Sequence, residues 1–234
     1  MLKEAKNLTL TVYDQIKKMM FDSHIVPGQR LVFVDLAKQL NVSRTPVNNA
    51  LGILAKEGYL DFVPNQGYWV RKLTLQEADY LYEIRETLEI GFIGKAIRNL
   101  NHEKIVRLAE CKRNYEQAIK DHFPRRLFAI DIEFHSCIID FVENKFLSAQ
   151  YREICHKIFL RFHIEKLHRE RINDIVKEHR ELFEAIKIKD VDRTLELLRT
   201  HHINTRSQWK KQTIFKDWWE ENSFNCNMQS MEAV

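Results

Sequence analysis

At 234 residues and 44% hydrophobic content, the chain is long enough for two modest domains or one large one, each with a buried core. Residues 1–72 carry 10 Lys and Arg against 6 Asp and Glu, and the chain totals of 37 and 33 leave the remainder neutral, so the whole net charge of +4 sits on the N-terminal segment. No stretch approaches the ~20 apolar residues of a membrane span, and Cys111, Cys137, Cys155 and Cys226 form no CxxC pair, which excludes a spanning protein and a disulfide scaffold and points to a cytoplasmic protein with core thiols.

Taken in order, Leu8 to Ser23 predicts a first helix with Leu10, Val12, Ile16, Met19, Met20 and Phe21 on one broad face. Residues Ile25 to Gly28 break it, and Leu31 to Leu40 predicts a second helix. Asn41-Val42-Ser43 is a short turn. Ser43 is a good N-cap and Pro46 falls within the first turn after it, so a third helix begins at about Arg44. Val47, Leu51 and Leu54 bury one side of it, leaving Arg44, Thr45, Asn48 and Asn49 outward near its N-terminus. Gly58 closes the helix. Tyr59 to Val63 and Tyr68 to Val70 then predict two strands joined at Pro64-Asn65-Gln66-Gly67, making a helix-turn-helix followed by a wing.

This stretch resembles the GntR family of bacterial transcription regulators, in its FadR-type branch. The residues that carry the likeness are Pro27-Gly28 and Leu31, Leu36-Ala37 and Leu40, Val42 through Val47, Leu51, Leu54, Glu57-Gly58, and Gly67 with Val70. The family commonly has Arg-Glu after the valine, where this chain has Asn48-Asn49. Arginine suits guanine, whereas asparagine suits adenine N6 and N7, so the operator should differ from the family's commonest one. A polar pair is also common where Val32 and Phe33 stand, so backbone contacts there should be weaker, unless the two residues meet another subunit.

Beyond Val70 all glycines but Gly91 and Gly94 have passed and only Pro124 interrupts what reads as nearly unbroken helix. Thr74-Leu75-Gln76-Glu77 is a capping box, which puts a domain boundary near Leu73. Helices are predicted to about Arg98 through Leu81, Ile84, Leu88 and Ile93; from Asn101 to about His122; from Pro124 to about Val142; from Asn144 to Arg169; from Ile172 to Ile188; and from Asp190 to about Lys211. The fold class is therefore mainly α: a winged helix-turn-helix at 1–72, an antiparallel all-helical bundle at 73–212, and a tail at 213–234 containing Trp218-Trp219.

Asp131 and His135 share a helix face, and Asp190 turns the chain midway between His179 and His201, so three helices can bring these four side chains to one point as a divalent-metal site. His156, His163, His168 and His202 compete for the same role, and an Asp-x-x-x-His pair is also an ordinary solvated contact. The C-terminal half resembles the helical FCD domain of the FadR-type branch. Asp131 to His135 matches its D-x-x-x-H, Glu178-His179-Arg180-Glu181-Leu182 matches its E-H-R-x-L, and His201 rather than His202 stands at the expected separation. The resemblance implies a bound transition metal, zinc first and nickel or manganese after it. It also places Arg85, in Arg85-Glu86-Thr87-Leu88-Glu89, toward an effector cavity where its guanidinium suits a carboxylate; the plainer reading is an i,i+4 pair with Glu89.

These readings imply a homodimeric regulator, a repressor by the resemblance, that binds a palindromic DNA operator and answers to a small organic acid. Arg44, Thr45, Asn48 and Asn49 are the candidate DNA contacts on the helix. Asn65, Gln66 and Gly67 are the candidates on the wing, where ordinary turn chemistry explains the first two equally well. A direct metal sensor is one rival. A metal-dependent hydrolase is another, but no dedicated base stands near the four ligands and a winged helix would go unexplained.

Overall fold

Helix α1 (Leu2–Phe21) turns Val12, Ile16 and Met20 inward at a spacing of four, which buries one stripe and leaves the rest to solvent. Leu10 is not on that stripe: it is 45% exposed, because it falls two positions from Val12 on a 3.6-residue period. The computed structural model describes residues 2–22, 24–118, 124–161 and 169–207. It divides into two units, one comprising residues 1–74 with 152–166 and the other residues 75–151 with the segment from 167 on.

In the first unit α2 (Phe33–Gln39) and α3 (Arg44–Lys56) form the helix-turn-helix. The turn is tight because Asn41 adopts φ 53°, which lets its N–H reach Lys38 and the Val42 N–H reach Ala37, closing α2 on itself. Ser43 occupies the N-cap of α3 in extended conformation but makes no side-chain capping bond. Gly58, at φ 76°, ends α3 through the same device, its N–H on Ala55 and that of Tyr59 on Leu54. Val47, Leu51 and Leu54 are fully buried, so α3 is held by its inner face alone.

The second helix starts later than its leucines suggest. Arg30–Leu31 form a short strand, β1, which pairs with Trp69 and Tyr68 of β3 (Gly67–Val70), and β3 pairs in turn with β2 (Leu60–Val63) in the order β1-β3-β2. Leu31 is buried as the inward residue of a strand, and β3 gains a second partner for its backbone. Val32 and Phe33 are 38% and 37% exposed. At the wing tip Asn65 takes φ 63° and Gly67 φ 90°, values that favour asparagine and glycine. Tyr59 also donates its hydroxyl to Glu153, which faces Lys17 within the same unit.

The second unit contains α4 (Leu75–Arg98), α5 (His102–Ala118), α6 (Pro124–Asp140), the start of α7 (Lys145–Arg161), α8 (Arg169–Lys187) and α9, residues 191–207. Asn101, Asn144 and Asp190 cap α5, α7 and α9, each side chain accepting a free N–H of the first turn. The α8–α9 turn is made by Lys189 at φ 64°, with the N–H of Asp190 on Ala185. The expected ends at His122 and Lys211 lie outside the described residues, as do His163, His168, Cys226 and Trp218-Trp219, and Arg169, expected to end α7, instead opens α8.

Helix α4 departs from the apolar pattern read along it. Ile84 is 46% exposed, and the buried line runs through Ala78, Tyr82, Arg85, Glu89, Ile93 and Ala96. Two charged residues thus occupy core positions in mid-helix, which requires partners for both.

Candidate metal centre and nucleic-acid interface

Charged side chains on α4 can stay buried because α6, α7 and α9 bring groups that pair with them. Arg85 is 1% exposed; its Nε–H donates to Glu89 Oε1 at 3.0 Å and to the Tyr151 hydroxyl at 3.2 Å, and its Nη2 donates to Asp131 Oδ2 at 3.0 Å. So Arg85 makes the i,i+4 pair and also holds one oxygen of Asp131. The other, Oδ1, lies 3.8, 3.1 and 3.8 Å from Nε2 of His135, His179 and His201. All four side chains are buried, and their candidate ligand atoms lie within 4.8 Å of one another. Phe134 stacks on the His179 ring at 4.5 Å and Tyr115 meets its edge at 4.6 Å, fixing the imidazole from two sides.

Hydrogen bonds behind the rings decide which nitrogen faces inward. Glu89 Oε2 lies 2.6 Å from His135 Nδ1, and Glu178 Oε2 lies 2.7 Å from His201 Nδ1. An ionised carboxylate only accepts, so both Nδ1 atoms carry the proton and both Nε2 atoms present a lone pair. The carboxylates are ionised. Burial opposes it, yet His135, His202 and Arg85 hold Glu89 well below the usual range, and His201 and Arg171 hold Glu178 at about 2. Burial likewise disfavours charge on Asp131, but Arg85, then His135 and His179, hold its carboxyl well down. Desolvation lowers His135, and takes His201 to about 3, so these imidazoles stay neutral. Neutral imidazoles and an ionised carboxylate are the protonation states that metal ligation needs.

The donor set fits a divalent ion on two further counts. His135 Nε2 and His179 Nδ1 are buried with no hydrogen-bond partner, a costly state that a cation coordinated by the ring nitrogens relieves. Two buried carboxylates, Glu89 and Asp131, also flank the single guanidinium of Arg85, and a dication offsets the remaining negative charge.

Among the competing histidines, His202 Nε2 lies 3.1 Å from Glu89 Oε2, and His156 meets the edge of Phe21 in the first unit. Glu89, Glu178, Tyr151 and Arg171 were not singled out as functional from the sequence. Glu89 takes His135, His202, Arg85 and Tyr151 on its two oxygens, and Arg171 grips both oxygens of Glu178 at 2.6 and 3.0 Å. The signal for both acids was their place inside the R-x-x-L-E and E-H-R motifs. An open cleft of about 410 Å³, lined by Arg171, Glu178 and Asn204 among others, reaches the carboxylate behind His201.

Replacing His179 with alanine is expected to abolish stoichiometric metal binding, measured by elemental analysis of the dialysed protein. It should also erase the stabilisation of ~2.7 kcal/mol that a metal at a hundredfold over its dissociation constant contributes. Retention of one metal per chain would move the site elsewhere.

In the first unit Arg44, Thr45, Asn48 and Asn49 are all exposed on the first turns of α3, while Pro46 and Val47 between them are buried. Asn65 and Gln66 are exposed at the wing tip and Gly67 is half-buried. The backbone of Gln66 is committed to the hairpin, its N–H to Val63 and its carbonyl to Arg30 Nε at 2.7 Å, which leaves its side chain available. These groups present amide and guanidinium donors on the outer face of a helix and a neighbouring loop, the arrangement that enters a DNA groove.

Comparison with known proteins bears on both units. Residues 8–70 match the family described as bacterial regulatory proteins, gntR family, and residues 80–204 match the FCD domain. The transcriptional regulator YdhC of Bacillus subtilis is 28% identical over 193 residues, which is 82% of this chain and 86% of that protein. The solved structure of McbR/YncC from Escherichia coli superposes with a TM-score of 0.77 at 23% identity, covering 88% of this chain and 98% of its own. A GntR transcriptional regulator from Rhodococcus sp. RHA1 does so with a TM-score of 0.77 at 21% identity, covering 87% and 97%. At these identities the structural likeness carries the fold.

Proposed function

Since the chain belongs to the gntR family of bacterial regulatory proteins and is a DNA-binding transcription regulator with an FCD domain, we propose that it is a homodimeric repressor released from a palindromic operator by a small carboxylate. The effector would bind beside a divalent metal held by Asp131, His135, His179 and His201. The observation that carries this reading is the convergence of those four buried side chains, with a ring nitrogen of His135 and one of His179 left unpartnered.

The metal would supply Lewis acidity toward an effector oxygen. The protein's own groups do the rest. Glu89 and Glu178 keep two imidazoles in the ligating tautomer. Arg85 keeps Asp131 turned so that a single oxygen faces the histidines, and adds positive charge beside any anion that arrives. In the dimer the two copies of α3 would lie in successive major grooves about 34 Å apart, with Arg44, Thr45, Asn48 and Asn49 at base edges or adjacent phosphates and the wing residues Asn65, Gln66 and Gly67 along the backbone. Repacking of the bundle helices on effector binding would alter that spacing, and a coupling of ~1–3 kcal/mol is enough to release DNA.

The test is a thermal melt against a panel of small carboxylates, with a divalent metal and after chelation, followed by operator binding with any acid that stabilises the protein. An acid that raises the melting temperature only with metal present, and that weakens operator binding, supports the proposal. One observation favours the second reading, a direct metal sensor: the four protein donors brought together would by themselves satisfy a four-coordinate ion, with no position left for an effector oxygen. Metal alone switching operator affinity, with no acid response, would select it.

A further inference from the structure

Helices α5 and α6 run antiparallel, and two ion pairs fix their register: Lys104 Nζ to Glu143 Oε1 at 2.5 Å and Arg107 Nη2 to Asp140 Oδ2 at 3.0 Å. Positions 104, 107, 111 and 115 share one stripe of α5, and 143, 140, 137 and 134 are its counterparts reading back along the chain into α6. The last step of that ladder is visible as well, because Tyr115 and Phe134 both pack on the ring of His179. Between it and Arg107–Asp140 stands one rung, Cys111 opposite Cys137.

Both cysteines are free, and their thiols hydrogen-bond to each other. They are not equivalent. Cys111 is half-buried and can meet a solute, whereas Cys137 is 2% exposed. The hydrogen bond from Cys137 lowers the Cys111 thiol, with Arg107 acting in the same sense against burial. The pair thus has one accessible thiol with thiolate character and one protected thiol in contact with it, the arrangement of a peroxide-reactive cysteine and its resolving partner.

We propose that Cys111 and Cys137 close into a reversible disulfide between α5 and α6 when the protein meets a hydroperoxide. The Cys111 thiolate attacks the terminal peroxide oxygen; an S–O bond forms as the O–O bond breaks, and the departing oxygen leaves as water or an alcohol with a proton from solvent. The Cys137 sulfur then attacks the sulfenic sulfur. An S–S bond forms, the S–O bond breaks, and the hydroxide leaves as water with the Cys137 proton. Two thiols are oxidised and one peroxide is reduced. A dithiol reverses the bond by exchange. The linkage falls two residues beyond His135 on α6, so it acts on the helix that carries Asp131 and His135 and needs no metal for its chemistry.

The experiment treats the reduced full chain with stoichiometric hydrogen peroxide, blocks the remaining thiols, and maps unreduced peptides by mass spectrometry. Two of the four thiols should disappear within a monomer, the Cys111 peptide should be joined to the Cys137 peptide, and dithiothreitol should restore both. Cys137→Ser should leave a sulfenic acid at Cys111 that a cyclic 1,3-diketone traps, and Cys155→Ser should leave the linkage intact. Persistence of all four thiols, a link through Cys155 or Cys226, or diketone labelling of Cys137 in place of Cys111 would overturn the proposal. The mapping of the unsubstituted chain stands even where a variant folds poorly.

Discussion

Replacing Arg85 with leucine is expected to destabilise the helical unit by about 3–5 kcal/mol, a drop of roughly 10 °C in melting temperature for a chain of this length. The residue is among the largest fully buried side chains, and its guanidinium contacts Glu89, Tyr151 and Asp131. Leucine fills much of the volume but leaves two ionised carboxylates inside the bundle without their cation. The damage should therefore be electrostatic, and removing one of the stranded charges should undo part of it. Glu89→Gln in the Arg85→Leu background is expected to recover stability, whereas Glu89→Gln alone should cost stability by weakening its hold on His135 and His202. Thermal melts of the four proteins measure the coupling. A drop of under about 2 °C for Arg85→Leu, or strict additivity in the double variant, would mean that the buried network is not one unit.

The second large effect falls on DNA. Arg44→Ala is expected to abolish specific operator binding while leaving the melting temperature unchanged. Arg44 is exposed in the first turn of α3, and Val47, Leu51 and Leu54 hold that helix from the other side. A bidentate arginine contact is worth about 1–3 kcal/mol of discrimination at each half-site. Because a dimer would present two copies, the loss should fall between roughly thirtyfold and about ten-thousandfold. Fluorescence anisotropy on operator and scrambled duplexes across a salt series separates the possible roles. Loss confined to the operator marks a base contact. Equal loss on both duplexes with a shallower salt slope marks a phosphate contact, and unchanged binding would remove Arg44 from the interface.

Much of the fold is legible along the chain because its signals are local. The start of α3 at Arg44, the stop at Gly58, the wing turn at Asn65 and Gly67, and the caps at Asn101, Asn144 and Asp190 each depend on residues a few positions apart. The four candidate ligands were legible for a related reason. Helical spacing puts Asp131 and His135 on one face, and a turn at Asp190 equalises the levels of His179 and His201. Strand β1 was not legible, because a leucine read two residues before a helix looks like part of it until β3 is there to pair with it.

What the sequence by itself determined is the order of elements, the outward amides and arginine on α3, and which four side chains could meet. Those follow from period and turn chemistry, which act within a few residues. Tertiary structure alone decided that Arg85 and Glu89 lie inside rather than on a solvated face, that His202 bonds to Glu89, and that Cys111 stands against Cys137. The reason is that a buried charge is tolerated only where distant groups answer it. Beyond Arg85, the partners of Glu89 lie 46, 62 and 113 residues away, at His135, Tyr151 and His202, and no local pattern records those distances.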